Sequence, residues 1–157
     1  MERTKNTIRG GQTLTLHKKG TNGDIIKAIH KYVPYAKEQS RSRAKLFKGN
    51  SEKETAKNIF NFLKDNIRYV EDSVHFQDIR LPNRLIKDGK GDCKSFAMFT
   101  ASILENLGIP YKFVYTSYTD NRVPQHVYVQ TDNGIIIDAV WRQFNDEKPY
   151  TYKYLKK

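Results

Sequence analysis

The sequence predicts an α+β domain, with helices first and an antiparallel sheet afterwards. Three observations carry this. Residues 51–67 and 93–107 repeat apolar side chains at helical spacing. From Tyr111 onward, aromatic and β-branched residues alternate at the period of strands. The two patterns are segregated along the chain, whereas a parallel βαβ sheet would interleave them.

Length and composition bound the answer further. The 157 residues, 38% hydrophobic with ten tyrosines, suffice for one packed domain of ordinary size. No internal repeat is visible. The charge is uneven: residues 1–50 hold 12 Lys and Arg against 3 Asp and Glu, the remainder 16 against 14, so most of the +11 sits in the first third. That predicts a basic N-terminal arm with helices over 1–50 joined to a nearly neutral core over 51–157, the two making one compact unit. The basic segment, 1–48, is expected either to contact a polyanion or an acidic protein, or simply to be a solvated face. No run of 18 apolar residues occurs and nothing apolar follows Met1-Glu2-Arg3-Thr4-Lys5, so neither a membrane span, a membrane partner nor a signal peptide is expected. A single cysteine precludes an internal disulfide and agrees with a reducing cytoplasm.

Taken in order, residues 1–22 contain Gly10-Gly11, Gly20 and one alternating piece, Thr13-Leu14-Thr15-Leu16, which predicts a loose arm with a short edge strand. Asp24 is placed to cap a helix whose apolar positions are Ile25, Ile26, Ala28, Ile29 and Val33, and Pro34 is expected to end or kink it. Tyr35 to Lys48 is helix-compatible and cationic, and Gly49-Asn50 breaks it. Ser51-Glu52-Lys53-Glu54 fits a capping box, and Ala56, Ile59, Phe60, Leu63 and Ile67 then share a helix face. Glu71 to Lys90 shows no clear period, which predicts a long ordered loop. Such loops in compact domains usually serve a site.

That loop leads into Gly91-Asp92-Cys93-Lys94-Ser95-Phe96-Ala97, where Asp92 is a favoured N-cap and Cys93 the first helical residue. Phe96, Thr100, Ile103, Leu104 and Leu107 follow on one face, and Gly108 with Pro110 stops the helix. The thiol thus sits at the positive end of a helix of about four turns, where unpaired N–H groups and the macrodipole favour the thiolate, the nucleophilic form. A lone cysteine is otherwise a small buried hydrophobe. The rest of the chain is what argues for chemistry.

A thiol nucleophile needs a base, and the base needs an orienting acceptor. After the helix, Tyr111–Tyr118 reads as a strand, Thr119–Pro124 as a polar loop, His126–Gln130 as a second strand and Ile135–Trp141 as a third, buried on both faces for most of its length. Tyr150–Tyr154 alternates once more and can close the sheet. His126 lies within one of these strands and Asp138 within the next. Asp is depleted in strands, and a carboxylate embedded among Ile and Val costs several kcal/mol unless paired.

Register tests that pairing. A two-residue turn would send 126 and 138 to opposite faces. A three-residue loop, Asp132-Asn133-Gly134 with Gly134 left-handed, sets Tyr128 opposite Asp138 and leaves His126 diagonal to it on the same face, about 7 Å away. His17 and His30 lie in the cationic third, and His75, in the loop before Cys93, is the reserve base. One cysteine, no Cys-x-x-Cys and no His-Glu-x-x-His leave no expectation of a metal, and Gly89-Lys90-Gly91 lacks the spacing of a phosphate loop, so no cofactor is expected.

The order Cys, His, Asp, with the cysteine opening a helix after Gly-Asp and the other two on successive strands, resembles the transglutaminase-like branch of the papain-like cysteine enzymes. Gly91-Asp92-Cys93-Lys94-Ser95, Leu104-x-x-Leu107-Gly108-Ile109-Pro110, His126-Val127-Tyr128-Val129 and Ile137-Asp138-Ala139-Val140-Trp141 carry the likeness. Upstream, Ile67-Arg68-Tyr69 and Gln77-Asp78-Ile79-Arg80-Leu81-Pro82 look like the segment preceding the cysteine in small bacterial and phage-encoded members. The likeness spans about 51 to 141 and does not reach residues 1–50.

The resemblance implies the nucleophile helix packed on the C-terminal antiparallel sheet, and acyl transfer from a protein or peptide amide through a thioester, to water or to an amine, without a metal. Carried over, Cys93 is the nucleophile, His126 the general base and acid, and Asp138 the residue that fixes the imidazole. The Cys93 backbone N–H would serve an oxyanion hole, with Gln77 as the expected second donor, and Trp141 is expected either to shield the three from water or simply to pack in the core. Other members of the family have lost activity. The alternative expectation is therefore an inactive structural or cargo protein of a phage particle whose basic arm binds nucleic acid or an acidic partner. Cytoplasm of a bacterial host, or a virion, is the expected location.

Overall fold

The computed structural model describes residues 13–16, 22–71 and 77–157. Strand β1 (Thr13–Leu16) precedes helix α1 (Asn22–Gln39), a 3-10 turn (Ala44–Phe47) and helix α2 (Glu52–Asn66). Strands β2 (Arg68–Tyr69) and β3 (Gln77–Arg80), helix α3 (Pro82–Asp88) and strand β4 (Lys90–Gly91) lead to helix α4 (Cys93–Leu107). Strands β5 (Tyr111–Ser117), β6 (His126–Thr131), β7 (Ile136–Ile137) and β8 (Tyr152–Lys156) follow. The architecture is α+β, helices before an antiparallel sheet of order β7-β6-β5-β8.

α4 is the axis of the molecule. Asp92 caps it, its Oδ1 accepting from the N–H of Lys94 at 3.1 Å and of Ser95 at 3.3 Å, and Gly108 ends it with φ of 69°. Every residue from Lys94 to Leu104 is buried, so α4 is enclosed all round instead of showing the single apolar face its spacing predicts. The sheet covers one side with Phe113, Tyr115, Val127, Val129 and Ile137, which join the same core as Phe96, Phe99 and Ile103. Strand alternation sends Val114, Tyr128 and Ile136 to the other face, where they form a small cluster of their own.

α2 starts as the sequence predicts: the Ser51 hydroxyl accepts from the Glu54 N–H at 3.0 Å, and Ala56, Ile59, Phe60 and Leu63 are buried. α1 corrects an expectation. It runs through Pro34 to Gln39, although proline removes one N–H and crowds the preceding turn. Burial of Ala28, Ile29, Tyr32 and Ala36 in the common core, together with a 2.7 Å bond between the Ser40 and Ser102 hydroxyls, outweighs that local cost. The expected Asp24 cap gives way to a helix that begins at Asn22, and the Asp24 side chain lies outside the described residues.

The stretch expected as one long loop contains three elements. β3 pairs antiparallel with β1, Thr13 against Arg80 and Leu16 against Gln77. α3 begins at Pro82, the position where proline costs least, and ends at Gly89 with φ of 65°. β4 pairs parallel with β2, Tyr69 against Gly91. A seven-residue helix and two-residue strands are too short to show a period, and β3 exists because a distant β1 supplies its ladder. A second correction concerns Ile135–Trp141, where only Ile136 and Ile137 form ladder bonds. The chain then turns, Asp138 accepting from its own neighbours: Oδ1 from the Val140 N–H at 3.2 Å and the carbonyl from the Trp141 N–H at 3.0 Å. A carboxylate that bonds local backbone ends a strand.

Candidate active site

Cys93 occupies the first position of α4 and is the free, partly exposed cysteine of the chain. Its approach is tight. A Cβ on Gly91 would meet Leu85 Cδ1 at 2.5 Å and Ser95 Cβ at 3.1 Å, so only glycine lets β4 pass this close beneath the helix start. The Ser95 hydroxyl accepts from the Arg80 N–H at 2.7 Å and ties the end of β3 to the same turn. Asp92 also forms an ion pair with Lys94, both buried.

His126 opens β6 opposite Thr116 of β5. β6 and β7 pair with Val129 against Ile137 and Gln130 against Ile136, and the Thr131 N–H bonds the Ile135 carbonyl at 3.0 Å. The connection is therefore Asp132-Asn133-Gly134, with Gly134 at φ of 93°, the loop the register argument requires. Continued one step, that register sets Tyr128 opposite Asp138 and His126 on the diagonal. Imidazole Nε2 and carboxylate Oδ2 lie 2.7 Å apart, with side chains 11% and 3% exposed.

The Cys93 sulfur lies beside the same ring, in the wall of one cleft. Since Nε2 faces Asp138, the nitrogen turned to the sulfur is Nδ1. Burial by itself would lower the His126 pKa, but the Asp138 carboxylate and the Cys93 sulfur outweigh it and raise it to about 10. Sulfur, imidazole and carboxylate thus lie side by side, the last two hydrogen-bonded.

Two contacts that hold this arrangement escaped the sequence. The Lys64 ammonium, in the last turn of α2, donates to the carbonyl of Ala139 at 3.1 Å and to that of Trp141. Glu52, in the first turn, accepts from the Thr131 hydroxyl at 3.0 Å and the Asn133 amide at 3.1 Å. α2 therefore grips the β6–β7 hairpin at its tip and the turn after Asp138. The capping box foretold the helix, but nothing local foretold what its charged ends would hold.

Trp141 lines a cleft beside His126 and Asp138, and its indole N–H donates to Asp146 at 2.8 Å. It therefore flanks the pair at a partly exposed position and is not packed in the core. His30 is engaged elsewhere: its Nε2 lies 2.9 Å from the Tyr115 hydroxyl, its ring meets Phe113 edge-on, and burial with nearby Lys156 lowers its pKa. His17, His75 and the Gln77 side chain lie outside the described residues, and the Gln77 backbone begins β3. Among the described residues, no His, Cys, Asp and Glu side chains gather into a group able to hold a metal ion, and no helix is long and apolar enough to cross a membrane.

A sulfur at a helix start, backed by an imidazole and a carboxylate on neighbouring antiparallel strands, defines a cysteine-centred α+β class. The chain belongs to the transglutaminase-like superfamily, whose core model matches residues 39–146. Two solved structures are similar to it. One, described as a "putative protease" from Parabacteroides distasonis ATCC 8503, superposes with a TM-score of 0.55 at 14% identity, over 71% of this chain and 24% of its own. The other, described as a "putative cysteine protease" from Cytophaga hutchinsonii, has a TM-score of 0.43 at 17% identity, over 81% of this chain and 48% of its own. The chain thus spans less than half the length of either. No curated protein matches it. Family and fold support a cysteine-dependent function of the peptidase or transglutaminase kind.

Proposed function

We propose that the protein is an active cysteine acyl-transfer enzyme that cleaves a protein or peptide amide through a thioester at Cys93. The observation that carries this is the hydrogen-bonded pair His126–Asp138 set beside Cys93 in one cleft wall, with no member replaced. In the first step the sulfur attacks the amide carbon with the proton already on His126, whose pKa is raised, and the carbonyl electron pair moves to oxygen. The Cys93 backbone N–H at the helix start supports that oxyanion, with Gln77 as the proposed second donor. Collapse breaks the C–N bond as Nδ1 returns the proton to the departing amine. Water or a second amine then gives its proton to Nδ1, attacks the thioester carbon and releases the sulfur, leaving the proton on the ring.

Asp138 acts through His126. It holds Nε2 and so presents Nδ1 to the sulfur, while its own remaining oxygen is occupied by the Val140 N–H. The test is trapping: a peptide aldehyde should bind the parent and not Cys93→Ala, and iodoacetamide at pH 6 should alkylate Cys93 faster than a free thiol and slow in His126→Ala. Alkylation no faster than that of a free thiol would sink the proposal.

A further inference from the structure

Two clefts meet at His126, and they differ in what else they touch. The smaller, about 90 Å³, has both Cys93 and His126 in its wall and is bordered by Ile25, Ile26 and Ile29 of α1. The larger, about 440 Å³, is walled by His126, Asp138, Tyr69 and Trp141; Cys93 is not among the described residues lining it. The three isoleucines precede residue 39, where the match to the family core begins. They are thus a feature of this chain's own N-terminal helix.

We infer that the smaller cleft receives the acyl side of the substrate, with Ile25 and Ile26 selecting a short aliphatic group there, and that the larger cleft passes the leaving and incoming amine. The inference rests on the acyl-transfer reading. Throughout the thioester stage the acyl group is bonded to sulfur, so it must extend into a cleft whose wall includes that sulfur. The amine needs only to exchange a proton with the ring, which the larger cleft reaches. Size then favours a short group: the cleft offers about 90 Å³, less than the roughly 150 Å³ of a cavity that takes a benzene ring. Chemistry agrees. Ile25 and Ile26 are only partly covered by the core, so an aliphatic group would remove their remaining apolar surface from water. Lys94, also in that wall, is paired with Asp92 and does not call for an anionic substituent.

The test uses the full chain with p-nitrophenyl acetate, isovalerate and phenylacetate, reading the p-nitrophenolate burst from Cys93 and dividing each rate by that of free N-acetylcysteine. The isovalerate should lead both other esters by about tenfold. In Ile25→Trp the ratio of isovalerate to acetate should fall by about the same factor, and in Ile26→Ala the phenylacetate should gain. Circular dichroism checks that each variant folds; either folded variant is decisive, and the parent series stands without them. Corrected rates that are equal across the three esters in the parent, or folded variants that keep the parent's order, would overturn the inference and leave acyl transfer intact. A failure of every ester to give a burst would remove acyl transfer and this inference together.

Discussion

The proposed nucleophile and its proposed acid–base partner are held in opposite ways. Cys93 is fixed by its neighbours in sequence: the Asp92 cap, the close pass of Gly91 and the Ser95 hydroxyl on Arg80 all act within about one helical turn or the strand beside it. His126 and Asp138 are fixed from a distance, by a three-residue loop that sets register and by the two charged ends of α2, whose contacts span 75 and 79 positions of the chain. A locally built nucleophile should tolerate changes elsewhere in the fold. A remotely clamped base should not.

The largest effect should come from breaking the link between the two. Cys93→Ala and His126→Ala are each expected to lower acyl-transfer rates by about 10⁴ to 10⁶, and the double variant should lose scarcely more than either, because the residues act as a unit. Losses that add would mean that sulfur and ring work independently, and kinetics of a p-nitrophenyl ester would show it.

The pH dependence of stability sharpens the same link. The His126 pKa is raised in the folded protein to about 10, above the unfolded value of about 6.5. The folded state therefore holds a proton that the unfolded chain has released. The stabilisation is complete below about pH 6.5 and is lost as pH rises through 10. Urea midpoints should fall between pH 7 and about 10.5 in the parent, and the fall should be much shallower in His126→Ala.

Next in size is the local side of the comparison. Gly91→Ala places a Cβ 2.5 Å from Cδ1 of Leu85 and should cost about 1–3 kcal/mol in urea unfolding, because Leu85 is fully buried and can shift only by repacking its neighbours. If stability is unchanged, the close pass is not what seats the helix start. The smallest effect belongs to the remote clamp. Lys64→Met keeps the stem and removes the ammonium, which is exposed enough that stability should drop by less than about 1 kcal/mol. Activity should drop by roughly tenfold, since the turn that carries Asp138 loses its hold. A loss confined to stability would show that α2 supports the fold without positioning the acid–base pair.

The legible features were those in which cause and effect are close in sequence. The cap at Asp92, the stop at Gly108, the helix face of Ile59 and Leu63, and the loop at Gly134 follow from local hydrogen bonding and side-chain period, and period 2 makes register a parity argument that places His126 beside Asp138. Other features were illegible because their causes lie far along the chain. β3 needs β1, α1 survives Pro34 because its buried face outweighs one lost hydrogen bond, and the strand through Asp138 ends after two ladder residues because that carboxylate serves its own backbone and the histidine.

By itself, then, the sequence determined the class of fold, the sulfur at a helix start and the face shared by the imidazole and the acid, since each is a matter of spacing and short-range bonds. Tertiary structure alone decided that α1 walls the sulfur with isoleucine and that α2 holds the hairpin through Glu52 and Lys64. Those contacts join residues tens of positions apart, and only packing of the whole core around α4 determines which of them meet.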